Sequence, residues 1–160
     1  MSPVKVFVYG TLKPGGHYWP QYCEGKVARQ QPAKIRGELY DLHVGYPGLR
    51  LQGQAWVYGY CLELKDPAHL DSLDYLEGYA PNRPESENEY NRIRVPCFDL
   101  EDQPIGQVWA YEITPSAFAK NQTTHIQNGN WPVACNSIEF NLSTESPAHG
   151  KPLPARWDAG

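Results

Sequence analysis

Apolar residues recur at every second position through much of this chain, which is the period of a strand with one face in the core. Val4, Val6 and Val8 alternate with Lys5 and Phe7, predicting a first strand up to Tyr9. Gly10 ends it, with dihedrals open that other residues lack and room for another group to approach the backbone. Pro14, Gly15 and Gly16 keep the next stretch irregular. Residues 18–24 are aromatic but interrupted by Pro20, which suits a short helix or a packed loop. Over 26–42 the alternation at Ala33, Ile35, Gly37 and Leu39 predicts two strands divided near Pro32 and closed at His43 to Gly45. Tyr46-Pro47-Gly48-Leu49 then reads as a turn. Residues 54–64 predict one long strand in which Gly59 marks a bulge or a close approach.

At Asp66 the period changes. Asp66 can accept hydrogen bonds from exposed N–H groups and Pro67 suits a first helical position, so a helix is predicted to run to Glu77 and stop at Gly78. Leu70, Leu73 and Leu76 form its apolar face; Glu77 falls within about 40° of the centre of that face, Asp74 on the flank and Asp71 nearly opposite. A carboxyl packed among apolar groups has its pKa raised and can both take and return a proton near neutrality. The plainer alternative leaves Glu77 in water at a frayed helix end. Beyond the helix, 80–89 is a polar, exposed loop. Strands are predicted over 91–100, where Pro96 indicates an edge or a bulge, and over 106–114, with 102–104 as the turn between them. A short helix starts at Pro115. Residues 121–160 form an irregular extension anchored by Trp131, Ile138, Phe140 and Trp157, whose last dozen residues have the composition of a disordered end. The expected organisation is one domain over 1–120, with 121–160 packed on it.

Composition narrows the partner. A chain of 160 residues can bury one core without disulfides or a metal. Its net charge of −4, with no stripe of Lys or Arg, argues against nucleic acid and favours a small molecule. No stretch is long and apolar enough to cross a membrane or to act as an export signal, so a soluble, cytoplasmic chain is expected. Cys23, Cys61, Cys97 and Cys135 are far apart and suit buried or free thiols. The histidines lack ligand spacing, and no metal is expected. The loop after the first strand can present N–H groups to a developing oxyanion, or it can be an ordinary turn. It lacks the ending of a phosphate-binding loop.

Val6-Phe7-Val8-Tyr9-Gly10-Thr11-Leu12-Lys13 resembles the opening motif of the gamma-glutamylcyclotransferase-like superfamily, which includes AIG2-like proteins, gamma-glutamylamine cyclotransferases and BtrG-type enzymes. Gly37-Glu38-Leu39-Tyr40-Asp41-Leu42 with Tyr46-Pro47-Gly48-Leu49 is similar to its second block, and Val57-Tyr58-Gly59-Tyr60 to its third. Leu70-Asp71-Ser72-Leu73-Asp74-Tyr75-Leu76-Glu77-Gly78-Tyr79, followed by Tyr90-Asn91-Arg92, resembles the helix bearing the family's catalytic Glu and the Y-x-R beyond it. The likeness runs from Val4 to Ile113.

The resemblance implies an α+β fold, a compact mixed β-barrel with flanking short helices, and catalysis with no metal or organic cofactor. It implies a small γ-glutamyl amide as substrate, cleaved to 5-oxoproline and a free amine. By position, Glu77 would be general base and then general acid, and Tyr9, Gly10, Thr11 and Leu12 would hold the γ-glutamyl group. Tyr90 and Tyr111 would hydrogen-bond Glu77, line the pocket, or serve only as core. Arg92 would bind the substrate's α-carboxylate or pair with the acidic loop before it. The alternative is a non-catalytic small-molecule binder or interaction protein of the same fold. Neither the leaving amine nor the oligomeric state is legible.

Overall fold

In the computed structural model, residues 4–132 are described. The expected anchors Ile138, Phe140 and Trp157, the fourth cysteine Cys135 and the end of the extension lie outside them. The strands and helices, in order, are β1 (Lys5–Val8), α1 (Trp19–Tyr22), β2 (Val27–Arg36), β3 (Glu38–Asp41), β4 (Pro47–Arg50), β5 (Trp56–Leu64), α2 (His69–Glu77), a 3-10 turn (Glu85–Glu87) within the loop that follows, β6 (Tyr90–Phe98), β7 (Pro104–Ile113), α3 (Pro115–Ala119) and β8 (Thr124–His125). Five strands close into a barrel in the order β1-β5-β2-β6-β7. All its ladders are antiparallel except the closing one, where β1 meets β7 in parallel at Val6 and Trp109. A smaller sheet, β4-β3-β8, lies beside it. The mixed α+β barrel with short helices is therefore the fold that the resemblance implied.

The first strand is apolar at consecutive positions because both its faces are covered. Phe7 and Tyr9 join a cluster with Ala33, Ile35, Val57, Cys61, Val95, Cys97, Val108 and Ala110, drawn from all five barrel strands. Val6 and Val8 join a second cluster with Leu62, Tyr90 and Tyr111 and with Leu70, Leu73 and Leu76 of α2. The first cluster is the barrel interior, and the second packs the helices against the barrel's outside.

Two sequence expectations need correction. Pro32 does not divide β2, which continues to Arg36 with Pro32 paired to Tyr60; the break comes at Gly37. A proline is tolerated there because β2 pairs with β6 only at Lys34 and Phe98, so around Pro32 the other edge of the strand carries no ladder. Tyr46-Pro47-Gly48-Leu49 is not a turn either: Pro47–Arg50 is β4, paired with β3, and the turn lies just before it, where His43 and Gly45 take positive φ. Its apolar, proline-led sequence gave a turn signal, but Pro47 sits at the first residue of the strand, where no ladder N–H is required of it.

Gly59 marks a close approach rather than a bulge, since the register is unbroken across it and a Cβ there would lie 2.1 Å from the Val8 carbonyl oxygen. Part of the region expected to be irregular pairs as β8: Tyr40 faces His125 and Asp41 faces Thr124. The strap beyond it is tied down by bonds from Ile126 N to Leu39 O (2.8 Å) and from Tyr58 N to Gly129 O (2.8 Å). Trp131 packs on the barrel-interior cluster as expected.

Candidate active site

Glu77 is the last residue of α2, and the local sequence places it there. Asp66 Oδ1 accepts from Ala68 N at 2.9 Å in the turn that opens the helix, and Gly78 closes it in the left-handed conformation at φ 71°. Leu70, Leu73 and Leu76 are buried against the barrel, so the helix cannot rotate, and Glu77 is carried half-buried to the barrel's edge. One expectation changes here. Asp74, expected on the flank of the apolar face with Glu77 alone directed inward, is 9% exposed, so a second carboxylate of α2 is buried.

A cavity opens where Glu77 meets the end of β1. Phe7, Val8, Tyr9, Gly10, Thr11 and Leu12 form one wall, Tyr46 and Pro47 a second, and Tyr90 and Tyr111 a third. The loop after β1 is folded by its own backbone: Lys13 N donates to Gly10 O (3.1 Å), Gly16 N to Lys13 O (2.7 Å) and Tyr18 N to Thr11 O (2.8 Å). Lys13, almost fully buried, extends across to the strap, where its Nζ donates to Asn130 Oδ1 at 3.1 Å and to the Trp131 carbonyl oxygen.

Gly10 is required for a reason other than unusual dihedrals. A Cβ on it would lie 2.9 Å from both Cγ and Cδ of Pro47, so the bare peptide lets the start of β4 close against the end of β1. Tyr90 reinforces that contact by donating its hydroxyl to the Pro47 carbonyl at 2.7 Å, and Tyr9 donates to the Tyr111 carbonyl at 2.7 Å. Tyr46 donates to Glu89 Oε2 at 2.9 Å, linking the cavity to the loop before β6.

A buried polar group is built around Asp74. Its Oδ1 accepts from the Tyr111 hydroxyl at 2.7 Å, and its Oδ2 from Arg92 Nη1 at 2.6 Å. The Arg92 guanidinium also lies 4.5 Å from the Trp109 ring centre and 5.4 Å from that of Tyr79. Burial pushes the Asp74 carboxyl up, while the Tyr111 hydroxyl and the Arg92 charge act in the opposite direction. Burial, then the negative charge of Asp74, holds the Tyr111 hydroxyl well above its usual range, and the charge of Glu77 adds to this. Behind the loop, Cys23 is fully buried and its thiol is pushed up to about 12, chiefly by burial. No group of three or more His, Cys, Asp or Glu that could hold a metal ion occurs among the described residues.

Seven of the residues singled out from sequence thus come together: Glu77, Tyr9, Gly10, Thr11, Leu12, Tyr90 and Tyr111 all line one cavity. Arg92 does not line it. Its guanidinium is paired with Asp74 rather than with the acidic loop, because β6 carries it alongside α2. Sequence reasoning passed over Asp74, Tyr46 and Pro47. Asp74 could have been found from its spacing, four residues after Leu70 and three before Glu77, which puts it beside both on the helix surface.

Residues 6–133 match the model of the family described as gamma-glutamyl cyclotransferase, AIG2-like. The chain is 36% identical over 98 residues, 61% of its length and 79% of the other's, to a Halalkalibacterium halodurans protein provisionally named a gamma-glutamylcyclotransferase. It is 32% identical to the gamma-L-glutamyl-butirosin B gamma-glutamyl cyclotransferase of Niallia circulans over 107 residues, 66% of this chain but only 65% of that enzyme. The crystal structure of an AIG2-like protein from Mus musculus shares the fold, with a TM-score of 0.53 at 23% identity over 72% of this chain and 80% of that one. Among the described residues, no helix is long and apolar enough to cross a membrane. The chain belongs to the gamma-glutamyl cyclotransferase, AIG2-like family and is an enzyme of that class.

Proposed function

We propose that this protein cleaves a small γ-glutamyl amide to 5-oxoproline and a free amine, using Glu77 to move the proton. The observation that carries this reading is the convergence of Glu77 and the 9–12 loop on one cavity. The substrate's α-amine attacks its own γ-carbonyl carbon, and Glu77 takes a proton from the attacking nitrogen. The tetrahedral oxyanion is held by N–H groups of the loop that follows β1. When the amide C–N bond breaks, Glu77 returns the proton to the departing nitrogen, and the five-membered lactam remains. Charge and atoms balance with one carboxyl and no co-reactant.

The attack is intramolecular, so holding the γ-glutamyl chain folded supplies much of the acceleration; effective molarities for well-oriented pairs reach on the order of 10⁵ M or more. In this reading Gly10, Thr11 and Leu12 grip the γ-glutamyl group, while the rings of Tyr9, Tyr90 and Tyr111 shape the wall. The test is release of 5-oxoproline from a panel of γ-glutamyl amino acids and amines by wild type and by Glu77→Gln. Release by wild type and its loss in a folded Glu77→Gln supports the reading. Equal release by both removes Glu77 from the mechanism.

A further inference from the structure

Asp74 does not itself line the cavity, yet it is hydrogen-bonded to Tyr111, which does. We infer that Asp74 is a positioning residue: it fixes the direction of the Tyr111 hydroxyl proton so that the Tyr111 oxygen meets the substrate's α-amine only as a hydrogen-bond acceptor. The inference rests on the cyclotransferase reading above.

A tyrosine hydroxyl has one proton to give, and an ionised carboxylate can only accept. Tyr111 gives its proton to Asp74 Oδ1 at 2.7 Å, so what its oxygen keeps for the cavity is lone pairs. For the α-amine this distinction decides reactivity. A donor would hydrogen-bond to the nitrogen lone pair that must attack the γ-carbonyl. An acceptor binds an N–H instead, leaving the lone pair free and holding the nitrogen in place while Glu77 takes the other proton.

The arrangement works only while Asp74 is ionised, since a protonated Asp74 could donate back and reverse the direction. The groups around Asp74 bear on that balance from three elements. Asp71, on the same helix, and burial itself favour the protonated form, whereas Arg92 from β6 and Tyr111 from β7 favour the carboxylate. Glu77, also on α2, acts on Tyr111 in the same sense as Asp74. Arg92 is held for this task by its contacts with Trp109 and Tyr79 as well as by the ion pair. An asparagine at position 74 can either accept from Tyr111 or donate to it, so the direction is lost while the shape is kept.

The experiment is a double-mutant cycle with Asp74→Asn, Tyr111→Phe and the pair. It is read as kcat and KM separately, on the γ-glutamyl amide that wild type turns over fastest in the panel. Each single variant is expected to lower kcat about 10- to 100-fold, the worth of one hydrogen bond to a charged group, with KM changed less than about threefold. The double variant is expected to be no worse than Tyr111→Phe alone, because Asp74 acts through that hydroxyl. Effects that multiply in the double variant, or a change in KM alone, overturn the inference. Tyr111→Phe keeps the ring and decides the matter if Asp74→Asn does not fold: wild-type kcat in that variant overturns it outright. Glu77→Gln, run alongside, separates the two readings. If it keeps full release, the cyclotransferase mechanism fails and this inference with it; if it is inactive while Tyr111→Phe keeps wild-type kcat, only this inference fails.

Discussion

The two faces of β1 look onto two different kinds of core. On one side, Phe7 and Tyr9 enter the barrel interior, where β-branched and small residues from the other four barrel strands pack with two cysteines. On the other side, Val6 and Val8 meet the helices in a core studded with tyrosines, and there Asp74 and Arg92 are paired beside the cavity that Glu77 lines. The interior is closed on itself by the ladders and can be purely apolar. The outer core is bounded by helix ends and loops, which bring both polar groups and an opening. One strand of four residues therefore belongs at once to the scaffold and to the site.

That contrast predicts a separation of effects. The largest belongs to the outer core: Glu77→Gln should reduce 5-oxoproline release by about 10²- to 10⁴-fold, while its thermal midpoint stays within a few degrees of wild type. Next, Ile35→Ala in the interior should cost about 2–5 kcal/mol of stability, read by denaturant midpoint, because its fully buried side chain, which does not line the cavity, leaves a void among atoms fixed by the barrel. A large loss of activity in that variant under conditions where it remains folded would break the division. Gly10→Ala tests the seam between the two: the added methyl must displace Pro47, which should cost about 1–3 kcal/mol and lower kcat/KM together.

A smaller effect is expected from Lys13→Met, which keeps the stem but removes the bonds to Asn130 and Trp131. The strap should be cleaved faster in limited proteolysis, with a several-fold fall in kcat/KM as the 9–12 loop loosens. The smallest concerns Cys23. Because burial disfavours its thiolate and raises the thiol to about 12, only about one molecule in 10⁴ is ionised there at pH 8. Iodoacetamide should leave Cys23 unmodified in the native protein and label it on unfolding; rapid native labelling would show that the outer core opens.

Local signals carried the sequence reading where one element is decided by its own residues. The leucine spacing and Gly78 defined α2 and placed Glu77 at its end; alternation located β1, β5, β6 and β7 to within two residues at each end. The misreadings came from residues whose meaning depends on a neighbour. Pro32 breaks a strand that needs its N–H, but not one with a bare edge at that point. Tyr46-Pro47 signals a turn until β3 is there to pair with it. Asp74 lies on a polar flank of an isolated helix, yet Arg92 and Tyr111, brought by β6 and β7 from residues far along the chain, turn that flank into the interior.

The sequence by itself determined α2 with Glu77 at its end, four of the barrel strands and the resemblance to the family, because periodicity, helix ends and short motifs are written within a few residues of one another. Only the tertiary structure decided that Gly10 exists to admit Pro47, that Arg92 belongs to Asp74, and that Tyr111 gives its hydroxyl proton to Asp74. Each of those depends on a distance between segments separated by many residues, and the closing of the barrel is what sets such distances.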